Sequence, residues 1–199
     1  METRYDVLAL FSGGLDSILA CKVLQGQGLR VLGLHFVTPF FGKPRNIERW
    51  KELYGLELMA VDISEDYVRM TAAPAHGWGK ALNPCVDCKI LMLSKARVLM
   101  PEFGARVLAS GEVVGQRPMS QRRDALNIIS RDAGVRDVLV RPLCALQVEP
   151  TAVEREGVVD REQLLNFAGR GRKNQLALAA ALGIRSEERR VGKECRSRW

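Results

Sequence analysis

Two short segments of this 199-residue chain carry side chains whose types and spacing suit chemistry. The first is Ser12-Gly13-Gly14-Leu15-Asp16-Ser17. Adjacent glycines let the backbone bend sharply and bring its N–H groups to an anion with no Cβ in the way. A helix starting there would add unpaired amides and a partial positive charge, which completes a phosphate cradle. Ser12 and Ser17 can donate hydroxyls to phosphate oxygens. Asp16 would repel a bare phosphate, so it reads as a contact to Mg2+ or as a brace for the loop. No Lys follows the glycines as in a Walker A loop, and the spacing is not the dinucleotide G-x-G-x-x-G.

The second segment is Asn83-Pro84-Cys85-Val86-Asp87-Cys88-Lys89, with two thiols three residues apart at an expected helix start. The helix dipole and Lys89 would lower the pKa of at least one of them. Four uses stay open from the residues alone. A structural zinc site needs four ligands, and the chain adds only Cys21, Cys144, His35 and His76 in no matching spacing. A redox pair lacks a thioredoxin-like context. A sulfur-handling nucleophile would suit a neighbouring activation loop, and inert buried thiols are the bland reading.

The pattern around these segments predicts the elements that must position them. Val7–Phe11 and Val31–Val37 are continuous apolar runs, as in strands buried on both faces. Leu15, Ile18, Leu19 and Val23 share one helical face ending near Gly26 or Gly28. Ile47, Trp50 and Tyr54 mark a short helix stopped at Gly55, and Leu56–Val61 a third strand. Residues 64–83 read as an irregular loop with Pro74, Gly77 and Gly79. A helix is expected from Pro84 to Met100, halted before Pro101, then a strand over Arg106–Ser110. Ser120 is expected to cap a helix through Ile129 that ends at Gly134, and Val138–Val140 is a fifth strand. Pro142–Val159 looks like a linker, Asp160 with Gln163 opens a further helix, and a last helix covers Lys173–Leu182. Alternation of this kind implies an α/β fold: a doubly wound, mostly parallel five-stranded sheet with helices on both faces, Rossmann-like. Ligands are then expected at the carboxyl ends of the strands. His35 reads as structural. Phe36 reads either as the wall of a nucleotide-base site or as ordinary core.

The chain has 30 Lys+Arg, 23 Asp+Glu and 47% apolar residues, which excludes wholesale disorder. No run reaches the roughly 18 apolar residues of a membrane span. An odd cysteine count without an export signal points to a cytoplasmic protein with no membrane partner. Residues 185–199 break the composition, with six basic and three acidic residues. They resemble a translated sequencing-adapter read-through, the alternative being a genuine basic tail. Without them the balance is 24 basic to 20 acidic, formal +4 rather than +7. The expected organisation is one nucleotide domain over 1–184, truncated at its C-terminus, and a foreign tail over 185–199. The sequence sets no oligomeric state.

The hexapeptide 12–17 resembles the PP-loop of the ATP pyrophosphatase (adenine nucleotide alpha hydrolase) superfamily. That resemblance implies that ATP is held by Ser12, Gly13, Gly14, Asp16 and Ser17 while an acceptor oxygen attacks the α-phosphorus. Asn-Pro-Cys-x-x-Cys is similar to the N-P-x-x-x-C segment of tRNA 2-thiouridylases, aligning Cys88 with the family's catalytic cysteine and leaving Cys85 as an extra. Ser110-Gly111-Glu112-Val113-Val114-Gly115-Gln116 resembles the nucleotide-lining segment of tRNA 4-thiouridine synthetases, which brings in Gly111. Arg117, just beyond, is the candidate phosphate contact. The implied activity is ATP-dependent tRNA thiolation: adenylation of a uridine carbonyl oxygen, then sulfur transfer through Cys88 and Cys85. Its implied partners are tRNA and a sulfur donor protein or sulfide. Some relatives hold a [4Fe–4S] cluster on three cysteines, for which Cys85, Cys88 and Cys144 are the candidates; otherwise Cys144 is a small core residue. The alternatives are a small-molecule, amide-forming ATP pyrophosphatase and a non-catalytic ATP-binding module. Six arginines between Arg117 and Arg141, and Arg170-Gly171-Arg172-Lys173, suit RNA phosphates or a solvated surface, the scattered arginines leaning to the latter. Trp78 can stack on a base.

Overall fold

The computed structural model describes residues 4–78 and 84–184. The expectations placed on Gly79, on Asn83 and on the tail 185–199 lie outside these residues. Five strands form one parallel sheet: β1 (Val7–Leu10), β2 (Val31–Val37), β3 (Glu57–Asp62), β4 (Val107–Ser110) and β5 (Leu139–Val140). Their order is β3-β2-β1-β4-β5, so the chain turns back from the middle and opens a crevice between the ends of β1 and β4. Every residue of β1 and β4 is buried, and their side chains alternate between two cores. Val7, Ala9, Val107 and Ala109 pack against α1 (Leu15–Gly26) and α2 (Ile47–Tyr54). Leu8, Leu10 and Leu108 pack against α4 (Cys85–Phe103) and α5 (Arg123–Asp132) on the other face. The doubly wound α/β expectation therefore holds.

Several elements differ from the sequence reading. The expected loop over 64–83 begins as α3 (Ser64–Ala72), whose first amide donates to the Asp62 carboxylate (2.8 Å). Only Tyr67 of α3 is buried, so the helix offers few apolar residues from which to read its period. α4 continues through Pro101 to Phe103 and ends at Gly104 in the left-handed region (φ 66°). The proline lies in the last turn, where the helix is already closing into its cap. Ser120 does not cap α5; the helix starts at Arg123, because residues 115–121 close a turn with Gly115 N–H donating to the Gln121 carbonyl (2.7 Å). Asp160 caps only a 3-10 turn, Arg161–Gln163. The expected linker contains α6 (Ala152–Arg155), started by a Thr151–Glu154 capping box that the sequence displays as T-x-x-E. The last helix, α7 (Lys173–Ala181), lies where expected and packs on α1 through Leu15, Leu19, Ala20 and Ala179. No helix among the described residues is long and apolar enough to cross a membrane.

Candidate functional site

The 12–17 loop sits at the carboxyl end of the central strand β1. Gly13 adopts φ +80°, and a Cβ there would run into the indole of Trp50, so both backbone and space demand glycine. Gly14 is the N-cap of α1 and supplies no side-chain cap, which leaves the helix's first amides to an anion. The hydroxyls shape the loop: Ser17 Oγ donates to the Gly14 carbonyl (2.7 Å) and accepts from Ser12 N–H (3.2 Å), and Gly14 N–H donates to Ser12 Oγ (3.3 Å). Behind the loop, Trp50 stands edge-on to His35 (centroids 5.1 Å apart). His35 bridges Phe11 O (3.0 Å) and Lys43 N–H (2.7 Å), which assigns a neutral ring with Nδ1–H donating. Burial pushes its pKa down, so the structural reading of His35 fits. Phe36 is 4% exposed and packs in the core with Leu8, Leu34 and Ile63.

Asp16 braces the loop: its Oδ2 accepts from Gln116 Nε2 (2.7 Å), and Arg172 Nη2 lies 3.9 Å from its Oδ1. Gln116 lies in the segment after β4, and Arg117, the next residue, is exposed. Gly111 is where β4 meets α1. A Cβ on it would fall on the backbone of Asp16 and Ser17, so this approach admits only glycine.

Glu112 turns inward at 2% exposure. Its Oε2 accepts from Ser110 Oγ (2.9 Å) and Arg141 Nε (3.1 Å), and Lys89 Nζ stands 4.0 Å from Oε1. Burial raises its pKa, but Lys89, Arg141 and Ser110 outweigh that and hold it below the usual carboxylate range. Lys89 thereby anchors the start of α4 to the segment that touches the phosphate loop. On the helix Lys89 shares a face with Cys85, four residues before it, and follows Cys88 directly in the chain. Both thiols also lie within electrostatic reach of Tyr67 on α3, whose phenol is pushed up by burial and by Cys88 and Cys85.

The lowered thiol pKa expected here is overturned for Cys88. Burial pushes it up to about 11, with Lys89 pulling down and Cys85 pushing up. Cys144 is buried, and its thiol donates to the Glu112 carbonyl (3.1 Å). Among the described residues, no three His, Cys, Asp or Glu gather into a group able to hold a metal ion. The three-cysteine set proposed for a [4Fe–4S] cluster is therefore not assembled on Cys144.

The sequence reading passed over Glu112, Gln116 and Tyr67 as site residues. A charged residue directly after a buried strand was the available signal for Glu112. His76 was also passed over. Its Nδ1 is 2.9 Å from Asp87 Oδ1 and its Nε2 3.0 Å from Asp132 Oδ2, and Arg131 pairs with the same Asp132. Two ring donors require the imidazolium, and the hydrogen bond to Asp87 leads the effects that raise its pKa. A raised folded pKa contributes stability that is complete below about pH 6.5 and is lost as pH climbs past the raised value. His76→Ala should therefore lower the urea midpoint at about pH 6 and leave it nearly unchanged at about pH 9. An equal loss at both would mean that the ring binds neutral.

Comparison with known proteins accords with this geometry. The family model described as "Thiamine biosynthesis protein (ThiI)" matches residues 2–152. A "Probable tRNA sulfurtransferase" of Thermococcus kodakarensis is 29% identical over 153 residues, covering 74% of this chain and 39% of that protein. A "tRNA-specific 2-thiouridylase MnmA" of Nitratidesulfovibrio vulgaris is 32% identical over 127 residues, covering 55% of this chain and 35% of its own. The chain thus spans well under half the length of these curated relatives. The crystal structure of a "predicted subunit of tRNA methyltransferase" from Methanocaldococcus jannaschii shares the fold, with a TM-score of 0.55 at 16% identity over 89% of this chain and 76% of that one. A glycine loop at the end of β1, a glycine-tight contact from β4 and a family match over residues 2–152 lead to one assignment: the protein belongs to the ThiI family.

Proposed function

We propose that this chain carries the ATP-activating and sulfur-handling part of ATP-dependent tRNA thiolation. The observation that carries the reading is one line of contacts at the sheet's carboxyl edge. It runs from the phosphate loop through Gly111 and Glu112 to Lys89, on the turn that bears Cys85 and Cys88. The α1 amides with Ser12 and Ser17 hold the terminal phosphates of ATP, and Arg117 offers a further cation. Mg2+ would enter with the triphosphate, and Asp16 is the loop carboxylate able to share it. A uridine carbonyl oxygen attacks the α-phosphorus and pyrophosphate leaves. Sulfur carried as a Cys88 persulfide then attacks the adenylated carbon and AMP departs. Cys85 completes the transfer by forming a disulfide with Cys88 and releasing thiouridine, and an external dithiol reduces the pair.

The relatives named for tRNA chemistry support tRNA as substrate. A donor protein's persulfide passes its outer sulfur to the Cys88 thiolate and keeps its own thiol, whereas sulfide would instead attack the adenylated carbon directly; we assign the reaction to the cytoplasm. We also assign 1–184 to one nucleotide domain, with 185–199 no part of it. The test is pyrophosphate release with and without unmodified tRNA, followed by nucleoside analysis. Release that requires tRNA, with thiouridine formed, is the expected result. Release indifferent to tRNA would favour a small-molecule pyrophosphatase, and no release a binding module.

A further inference from the structure

We infer that Arg172 is a ligand of the ATP β- and γ-phosphates, a cationic wall brought to the loop by a stretch of chain beyond the matched region 2–152; this rests on reading the loop as an ATP site. Backbone pairing sets its position. Phe167 N–H donates to the Leu143 carbonyl (2.8 Å), Ala168 bridges Val114, and Gly169 N–H donates to the Val114 carbonyl (2.8 Å). Residues 167–169 are thereby held along the segment that leaves Gly111, and the chain enters α7 three residues later. Arg172 is the N-cap of α7, with its guanidinium 3.9 Å from the Asp16 carboxylate.

A two-amide relay fixes the same carboxylate from the other side. Gln175 Nε2 donates to Gln116 Oε1 (2.9 Å), and Gln116 Nε2 donates to Asp16 Oδ2 (2.7 Å). Gln175 is 1% exposed and both hydrogen bonds of the relay are part-buried, so it is anchored in the core at one end. The relay brings no charge, whereas Arg172 does. A carboxylate inside a phosphate loop opposes a triphosphate unless a cation stands beside it, and Arg172 stands there. Its side chain remains 40% exposed, which leaves the planar fork room to turn from Asp16 to a phosphate and grip two oxygens. Exposed Arg170 and Lys173 add to the field on that side.

Calorimetric titration of the full chain with α,β-methylene-ATP, pyrophosphate and AMP tests the assignment. Arg172→Gln should weaken the first two about ten- to a hundredfold, the range for a charge-assisted contact, and leave AMP unchanged. Asp16→Asn combined with Arg172→Gln should recover only part of the loss of the ATP analogue, because the phosphate contact stays missing. Equal losses for AMP, full restoration in the double variant, or no change would each overturn the inference. If Arg172→Gln does not fold, Arg172→Lys carries the test with a smaller loss confined to the polyphosphates. Failure of the unaltered chain to bind any of the three would overturn the ATP-site reading itself, and the inference with it.

Discussion

Replacing Gly111 by alanine should abolish measurable ATP binding and destabilise the fold. Gly111 does not have positive φ, so the backbone itself would accept a side chain. Space decides the outcome. The added Cβ would fall on the Asp16 carbonyl group and the Ser17 amide, which are main-chain atoms of the first turn of α1 and cannot swing aside. Overpacking of this kind costs about 1–3 kcal/mol. The displacement would not stay local, because both Ser17 N–H (3.0 Å) and Ser17 Oγ (2.7 Å) are bonded to the Gly14 carbonyl. Moving that turn moves the anion-binding amides. We expect ATP affinity to fall by more than about a hundredfold, since several phosphate contacts of about 1.5–3 kcal/mol each are misplaced together. Gly26→Ala is the matched control. It lies in α1 with nothing within 4 Å of the new methyl, so it should leave ATP binding intact and stabilise the helix by up to about 1 kcal/mol. Normal ATP affinity in Gly111→Ala would sink the claim that β4 and α1 jointly set the loop.

The fold and the position of the glycine loop were legible in the sequence because both write themselves locally. Val7–Phe11 and Val31–Val37 are apolar without a break, as strands covered on both faces must be. Gly13 and Gly14 directly follow the first of these. Residues 64–72 were misread for the converse reason: a helix that buries only Tyr67 has few apolar residues from which to read its period. The site's second layer was hidden because it is assembled from distant parts of the chain. Gln116 reaches Asp16 from 100 residues away, and Gln175 reaches Gln116 from 59. An amide signals nothing about its partner at that separation. The thiol pKa failed differently. Lys89 was read correctly as an influence that favours thiolate, but burial cannot be read from a Cys-x-x-Cys spacing, and at Cys88 burial wins.

Sulfur transfer should therefore depend steeply on pH and on one thiol. With its pKa pushed up to about 11, Cys88 is almost wholly protonated near neutrality. The thiolate is the attacking form, and its fraction grows about tenfold for each pH unit below that value. Cys88 must lose its proton to take sulfur from a persulfide donor, so the rate of thiouridine formation in single turnover should climb about tenfold per unit between pH 7 and 9. Pyrophosphate release, which uses no thiol, should not follow that slope. Cys88→Ser should lower thiouridine formation by at least about a thousandfold while tRNA-dependent pyrophosphate release persists, because removing a covalent nucleophile removes the step itself. Lys89→Met adds a second constraint. Lys89 is the group that pulls the Cys88 pKa down, so its removal should shift the rising limb to higher pH without lowering the rate finally reached. Lys89 is also the leading cation beside the buried Glu112, so pyrophosphate release followed in parallel separates an effect at the thiol from one passed through Glu112. A flat profile above pH 7 would mean that the thiolate is already formed, and that the burial of α4's first turn does not govern this cysteine.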